Sequence, residues 1–285
     1  MDYREYMRRI GLEAVGQNSF FRLHARREEP AFRQDFDRCL RAYPVSDEAF
    51  GEKAQTFADA QGVAVEEMIL YLYIRMSERT QQKYRAMGIP EDVFFNTMFD
   101  ITVSCRICHR QTGIYGINPV IYRWWLRLHL DCRLFWLGRL QFELSESLWD
   151  ARLEQLHVKP GDPCLKVHIP EEEELTQAAC EESFRLARAF FAKYFSMKPC
   201  VFFCRSWLID PWLQDALPES SRIVGFQKLF HILGSENDPD AVVRWVFPTR
   251  LENPKDYPQD TMLRRAVRER LLKGLPMGLG LGIKI

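Results

Sequence analysis

Near residue 133 the spacing of apolar side chains changes from three-to-four residues to two, so this chain cannot be one uniform layer of helices or of strands. Upstream, Phe32, Phe36, Cys39 and Leu40 recur at helical intervals, as do Met68, Leu72 and Met76. Downstream, Leu140, Phe142 and Leu144 alternate with Arg139, Gln141 and Glu143, the pattern of a strand with one apolar and one polar face. Since 285 residues suffice for two ordinary domains, the change of period predicts an α+β protein. Its expected parts are a helical N-terminal domain over residues 1–120 and a mixed α/β sheet domain over residues 121–285.

Punctuating residues refine this reading. In the first part, Asp47 and Gly62 bracket a helix, Pro90 opens another running from Glu91 to about Arg110, and Gly113 and Gly116 break it. Pro119 can open one more, through Trp124 and Trp125. In the second part, the turn signal KPGDP (159–163) leads into the strand CLKVHIP. Thr176 caps a long helix, with Leu175 and Cys180 as a hydrophobic staple and Phe184, Ala187, Phe191 and Tyr194 on one face. CVFFCRSWL reads as a buried strand, Ser221–Leu233 as a helix, Ala241–Phe247 as a strand and Thr261–Lys273 as a helix. The tail GLGLGIKI reads as a closing edge strand with one side stripped for close approach.

Charge and composition exclude several classes of function. Lys plus Arg and Asp plus Glu both total 39, without the basic excess expected of a general nucleic-acid binder. No apolar run approaches a membrane span, and the charged start MDYREYMRRIG lacks a signal peptide's apolar core, so a cytoplasmic protein with no membrane partner is expected. In that compartment its eight cysteines are expected to be thiols. Cys105-Arg-Ile-Cys108-His109 has the letters of a haem-attachment motif but lies inside a helical pattern without an export signal. Zinc would need further ligands that no second paired motif supplies, so neither metal nor haem is expected. The tail glycines precede no helix and are therefore not a dinucleotide-binding loop.

The segments FWLGRLQFEL, KPGDPCLKVHIP, SWLIDPWLQDALPESSRIVGFQKLF and PQDTMLRRAVRERLLKG together resemble the acyltransferase domain-containing proteins, in which a helical N-terminal domain precedes a GNAT-like C-terminal domain. The resemblance covers most of residues 120–275 in pieces and the helical part more diffusely. It implies transfer of an acyl group from acetyl-CoA or another acyl-CoA to an amine of a small molecule or peptide. It also implies a splayed central strand for the pantetheine, here Lys166, Val167, His168 and Ile169, followed by a helix N-terminus that attracts the diphosphate. The loop after that strand, Glu171–Glu174, has four carboxylates and no glycine. Carboxylates there complement the helix dipole, and phosphate is then expected at the basic helix carrying Arg264, Arg265 and Arg268.

Amide formation from a thioester needs a base for the attacking amine and a proton for the leaving thiolate. His168, on the expected central strand, and Glu143, on the polar strand face, are the candidate bases, with Asp210 just beyond the third strand as a further catalytic candidate. Each also has a plain structural reading: a hydrogen-bonded histidine, an Arg–Glu pair on a wet sheet face, and a turn aspartate before Pro211. The competing function is a non-catalytic GNAT-like scaffold that binds a small ligand or protein partner. The helical domain would be a lid, a recruiting module or the surface of a homodimer.

Overall fold

The computed structural model describes residues 1–120, 123–153, 156–171, 174–198, 200–247 and 249–285. The chain divides into two compact units, Met1–Phe135 and Trp136–Ile285. Among the described residues, no helix is long and apolar enough to cross a membrane.

The first unit is helical: α1 (Tyr3–Arg9), α2 (Ala14–His24), α3 (Pro30–Ala42), α4 (Asp47–Gln61), α5 (Val65–Ala86), α6 (Glu91–Met98), α7 (Asp100–Thr112) and α8 (Arg123–Leu130). Its centre is α5, whose residues Met68–Ile74 are all buried. A helix apolar on every side must be wrapped, and α2, α4, α6 and α8 pack against it. Gly62 ends α4 in the left-handed conformation at φ +65°, as its position predicts. The α4 cap is Ser46, one residue before Asp47. The single helix expected over Glu91–Arg110 is two, broken at Phe99; of the helix expected from Pro119, Arg123–Leu130 is helical, Pro119 lies in a turn, and residues 121 and 122 lie outside the described residues.

The second unit is a six-stranded sheet in the order β1-β2-β5-β6-β8-β7 with a separate two-stranded hairpin, β3-β4. Its elements are β1 (Leu134–Leu137), β2 (Leu140–Glu146), β3 (Ala151–Leu153), β4 (Leu156–Val158), β5 (Pro163–His168), α9 (Gln177–Tyr194), β6 (Phe202–Ser206), α10 (Trp212–Ala216), α11 (Arg222–Gln227), β7 (His231–Asn237), α12 (Pro239–Val246), α13 (Met262–Leu272) and β8 (Gly278–Lys284). The fold class is α+β: a helical unit, then a mixed sheet domain. Thr176 caps α9 by accepting from the Ala179 N–H, as expected. On one sheet face, Phe142 and Phe202 meet Phe184 and Phe191 of α9. Part of the other face packs under β3-β4, where Ala151 and Val158 join Cys164, Phe203 and Ile283.

Four expectations in this unit are corrected. Arg139 is not on a strand but in the turn between β1 and β2, beside Gly138 at φ +69°. Ala241–Phe247 is not a strand: Pro239–Val246 is helix α12. Asp238 caps it by accepting from the Ala241 N–H, and Val242, Val243 and Val246 enter a core cluster with Leu213, Tyr257 and Val267. A β-branched residue weakens a helix by roughly half a kcal/mol, whereas burying a valine contributes about 1.5–3 kcal/mol, so packing overrides propensity. The helix expected over Ser221–Leu233 stops at Gln227, and His231–Asn237 is strand β7. Its side chains are mostly exposed, so the alternation that betrays a half-buried strand is missing.

Lastly, β8 is not an edge strand. It pairs antiparallel with β6 on one side and β7 on the other. The expected close approach is real: a Cβ on Gly280 would lie 2.3 Å from the Ile209 carbonyl oxygen and 2.6 Å from the Asp210 nitrogen.

Candidate active site

Strand β5 is the element on which the site is built. It runs antiparallel to β2, with Gln141 opposite His168 and Glu143 opposite Lys166. It runs parallel to β6, where the bridged pairs are Leu165 with Phe202 and Lys166 with Phe203. Both strands continue beyond that point, β5 to His168 and β6 to Ser206, without bridging. The two strands thus part after Lys166, and β5 carries Val167 and His168, then Ile169, along the opening.

Alternation along β2 and β5 puts Gln141, Glu143, Lys166 and His168 on one face, while Phe142 and Val167 point to the α9 side. His168 Nε2 lies 2.9 Å from Glu143 Oε2, and Lys166 Nζ lies 3.5 Å from Glu143 Oε1. Burial pushes the Glu143 carboxyl up, but the hydrogen bond and charge of His168, with those of Lys166, outweigh it. Its pKa ends below the ordinary carboxylate value, so at neutral pH it is an anion holding two potential cations. The His168 side chain keeps 28% of its surface exposed, against 11% for Glu143. This is a carboxylate behind an imidazole that still reaches solvent.

Gln141 was legible in the sequence as part of the polar face, but its condition was not. It is 2% exposed, and its Nε2 has no hydrogen-bond partner among the described residues. A buried donor without an acceptor costs about 1–3 kcal/mol. Only the tertiary packing exposes that debt.

Asp210 does not join this group. It is 4% exposed, and its carboxylate accepts from the Ser235 hydroxyl at 2.9 Å and from the Gly278 N–H at 2.6 Å. Its own carbonyl accepts from Gln227 Nε2 at 3.0 Å. Both carboxylate oxygens are spent tying the segment after β6 to β7 and β8. Trp212, two residues on, is core, with the Arg270 guanidinium stacked 4.7 Å above its ring.

The basic residues of α13 are likewise engaged within their own neighbourhood. Arg264 donates to Asp260 and to the Val246 carbonyl, Arg265 to the Gln259 carbonyl, and Arg268 to the Lys255 carbonyl. They cap and brace the surrounding loops and do not converge on one point. In the acidic loop, Glu172 and Glu173 lie outside the described residues, while the exposed Glu174 pairs with Arg222 at 3.0 Å.

All eight cysteines are buried free thiols. Burial raises Cys105 well above the ordinary thiol value, so it is an inert core group on α7 beside Cys108.

Comparison with known proteins identifies both parts of the chain. The profile of the N-acyltransferase N-terminal domain matches residues 1–132, and that of the GNAT-like C-terminal domain matches residues 134–283. Among solved structures, an acyltransferase in complex with decanoyl-CoA and teicoplanin superposes with a TM-score of 0.75 at 23% identity, over 99% of this chain and 87% of that one. An acyltransferase in complex with decanoyl-CoA superposes with a TM-score of 0.67 at 28% identity, over 78% of this chain and 66% of that one. No curated protein matches. The two profiles together span nearly the whole chain, and it belongs to the acyltransferase family that joins an N-acyltransferase N-terminal domain to a GNAT-like C-terminal domain.

Proposed function

We propose that this acyl-CoA-dependent N-acyltransferase uses the Glu143–His168 pair as its base and the opening between β5 and β6 as its acyl-donor site. The observation that carries the reading is the 2.9 Å contact between Glu143 and His168 at the mouth of that opening. The thioester lies along Lys166–Ile169, and an amine of a small molecule attacks its carbonyl carbon. As the C–N bond forms, the amine proton passes to the His168 imidazole, and the imidazolium that results is stabilised by the Glu143 carboxylate. The unpartnered Gln141 amide donates to the developing oxyanion. The C–S bond then breaks, and the coenzyme A thiolate takes a proton from the imidazolium, leaving an amide and the free thiol. His168 here is both base and acid, with Glu143 a positioning residue behind it.

A medium-length acyl group fits the precedent of the two similar structures, which hold decanoyl-CoA, and teicoplanin in one of them illustrates the scale of acceptor. The diphosphate is not assigned to α13, whose Arg264, Arg265 and Arg268 are already bonded to local carbonyls.

Calorimetric titration with acetyl-, octanoyl- and decanoyl-CoA tests this directly. Binding tighter than about 100 μM, roughly −5.5 kcal/mol, is expected for at least one donor, followed by release of free coenzyme A when amines are added. A folded protein that binds none of them refutes the reading. Binding without turnover over a broad amine panel would instead favour a ligand-binding scaffold.

A further inference from the structure

The helical unit carries a cleft that the acyl-transfer reading does not use. It has a volume of about 610 Å³, within the range of small-molecule sites, and lies where α3, α5 and α8 meet. A second cavity of about 410 Å³ lies on the other side of Phe36 and Arg75, which line both. Apolar surface comes from Phe36, Leu40, Tyr43, Met76 and Leu130.

A row of cations lines this cleft. Arg75, Arg79 and Lys83 stand four residues apart along α5, so they stack on one helix face and all three line the cleft. Like charges at that spacing repel one another along the helix surface. Many other cations of the unit have carboxylate partners, as Arg8 has Glu5, Arg26 has Glu29, Arg33 has Glu28, Arg38 has Asp35 and Arg22 has Glu67, and so has Arg127 in the cleft itself, with Asp47 and Asp131. Among the described residues, no carboxylate is within ion-pair distance of Arg75, Arg79 or Lys83. The two carboxylates of the cleft are committed to other groups. Glu78 accepts from the Tyr3 hydroxyl and the Met1 ammonium, and Asp131 accepts from Tyr43 and Arg127.

Arg75 is the centre of the arrangement. One Nη donates to the Tyr71 hydroxyl at 2.8 Å, and the guanidinium stacks 4.6 Å over Phe36. Among the described residues its buried Nε has no acceptor, and the buried His24 Nδ1 in the adjoining cavity has no hydrogen-bond partner. The field here is positive enough to be felt: burial, with the charges of Arg75 and Arg27, pushes the His24 imidazole down to about 4.

We propose that this cleft binds an organic anion, a carboxylate or phosphate head on an acyl or aryl body. The head sits against the Arg75–Arg79–Lys83 ladder and the body against Phe36, Leu40 and Met76. An anion relieves the mutual repulsion of the three cations and supplies an acceptor for the Arg75 Nε, which has none among the described residues. The flanking apolar surface selects an amphiphile over inorganic phosphate.

Methyl-¹³C-methionine NMR on the full chain locates binding, because the Met76 methyl lies in the cleft. Sodium decanoate, decyl phosphate and uncharged decanamide serve as probes, each below its aggregation limit. The Met76 signal is expected to move saturably with at least one anion, and decanamide to bind about tenfold or more weakly, the usual weight of one charge-assisted hydrogen bond. The ratio of decanoate to decyl phosphate affinity separates a carboxylate ligand from a phosphate one. Arg75→Met, which keeps a side chain over Phe36, should weaken the anion about tenfold. Lys83→Gln, at a half-buried position with little to lose in folding, should weaken it severalfold. The proposal is overturned if Met76 does not respond to either anion, if decanamide binds as well as the anions, or if Lys83→Gln and a folded Arg75→Met both bind like the parent.

Discussion

Replacing Glu143 by glutamine keeps the shape of the side chain and its hydrogen-bonding oxygen but removes the negative charge behind His168. In the resting site that charge holds Nε2 at 2.9 Å, and Lys166 Nζ at 3.5 Å. Its larger effect comes when His168 takes the amine proton and becomes an imidazolium. A hydrogen bond to a charged group contributes about 1.5–3 kcal/mol net. At 1.36 kcal/mol per tenfold in rate, losing it in the transition state lowers kcat by about 10- to 150-fold. The KM for acyl-CoA should stay within about threefold, because Glu143 acts through His168 and not on the donor. Release of coenzyme A, followed with a thiol reagent, reads both constants. The protein's own thiols give little background, since all are buried and burial pushes Cys132, Cys164 and Cys180 up to about 11. His168→Asn alone should cost about 10²–10⁴ in kcat. Adding Glu143→Gln to it should change little, because the carboxylate then has no imidazolium to stabilise. A Glu143→Gln protein that melts like the parent and retains its kcat would refute the argument. So would a double variant whose losses simply multiply.

Three further outcomes follow from the packing. Asp210→Ala leaves the buried Gly278 N–H and Ser235 hydroxyl without their acceptor, at about 1–3 kcal/mol each, so thermal unfolding should drop by several degrees. If a variant with intact melting instead loses kcat, Asp210 has a role in the chemistry that its bonding does not suggest. Gly280→Ala drives a methyl against the backbone of Ile209 and Asp210, an overpacking that costs about 1–3 kcal/mol or more, and chemical denaturation should show a lower midpoint. His24 has a folded-state pKa of about 4 against 6.5 unfolded, so the unfolded chain binds the extra proton. The stability it contributes is complete above about 6.5 and is lost as pH falls towards 4; denaturant titrations should show that slope, and His24→Gln should flatten it.

What the sequence determined by itself was whatever depends on neighbours along the chain. The change of period near residue 133, the Gly62 stop, the Thr176 cap and the alternation through Leu140–Leu144 each act over a few residues, and each appears in the structure. The polar face holding Glu143 and Gln141 was legible for the same reason. Tertiary structure decided everything that needs a partner from elsewhere. Valines at 242, 243 and 246 favour a strand locally but become a helix, because a core cluster offers them more burial than a ladder would. The exposed His231–Asn237 is a strand because β8 supplies backbone partners, and no side-chain pattern records that. Asp210 and the arginines of α13 carry chemistry-bearing side chains, yet their neighbours consume them. Glu143 and His168, separated by 25 positions, meet because antiparallel pairing of β2 and β5 sets Gln141 opposite His168 and leaves the two diagonal on one face. Periodicity says which way a side chain points, but register alone says what it meets, and register is a property of the folded sheet.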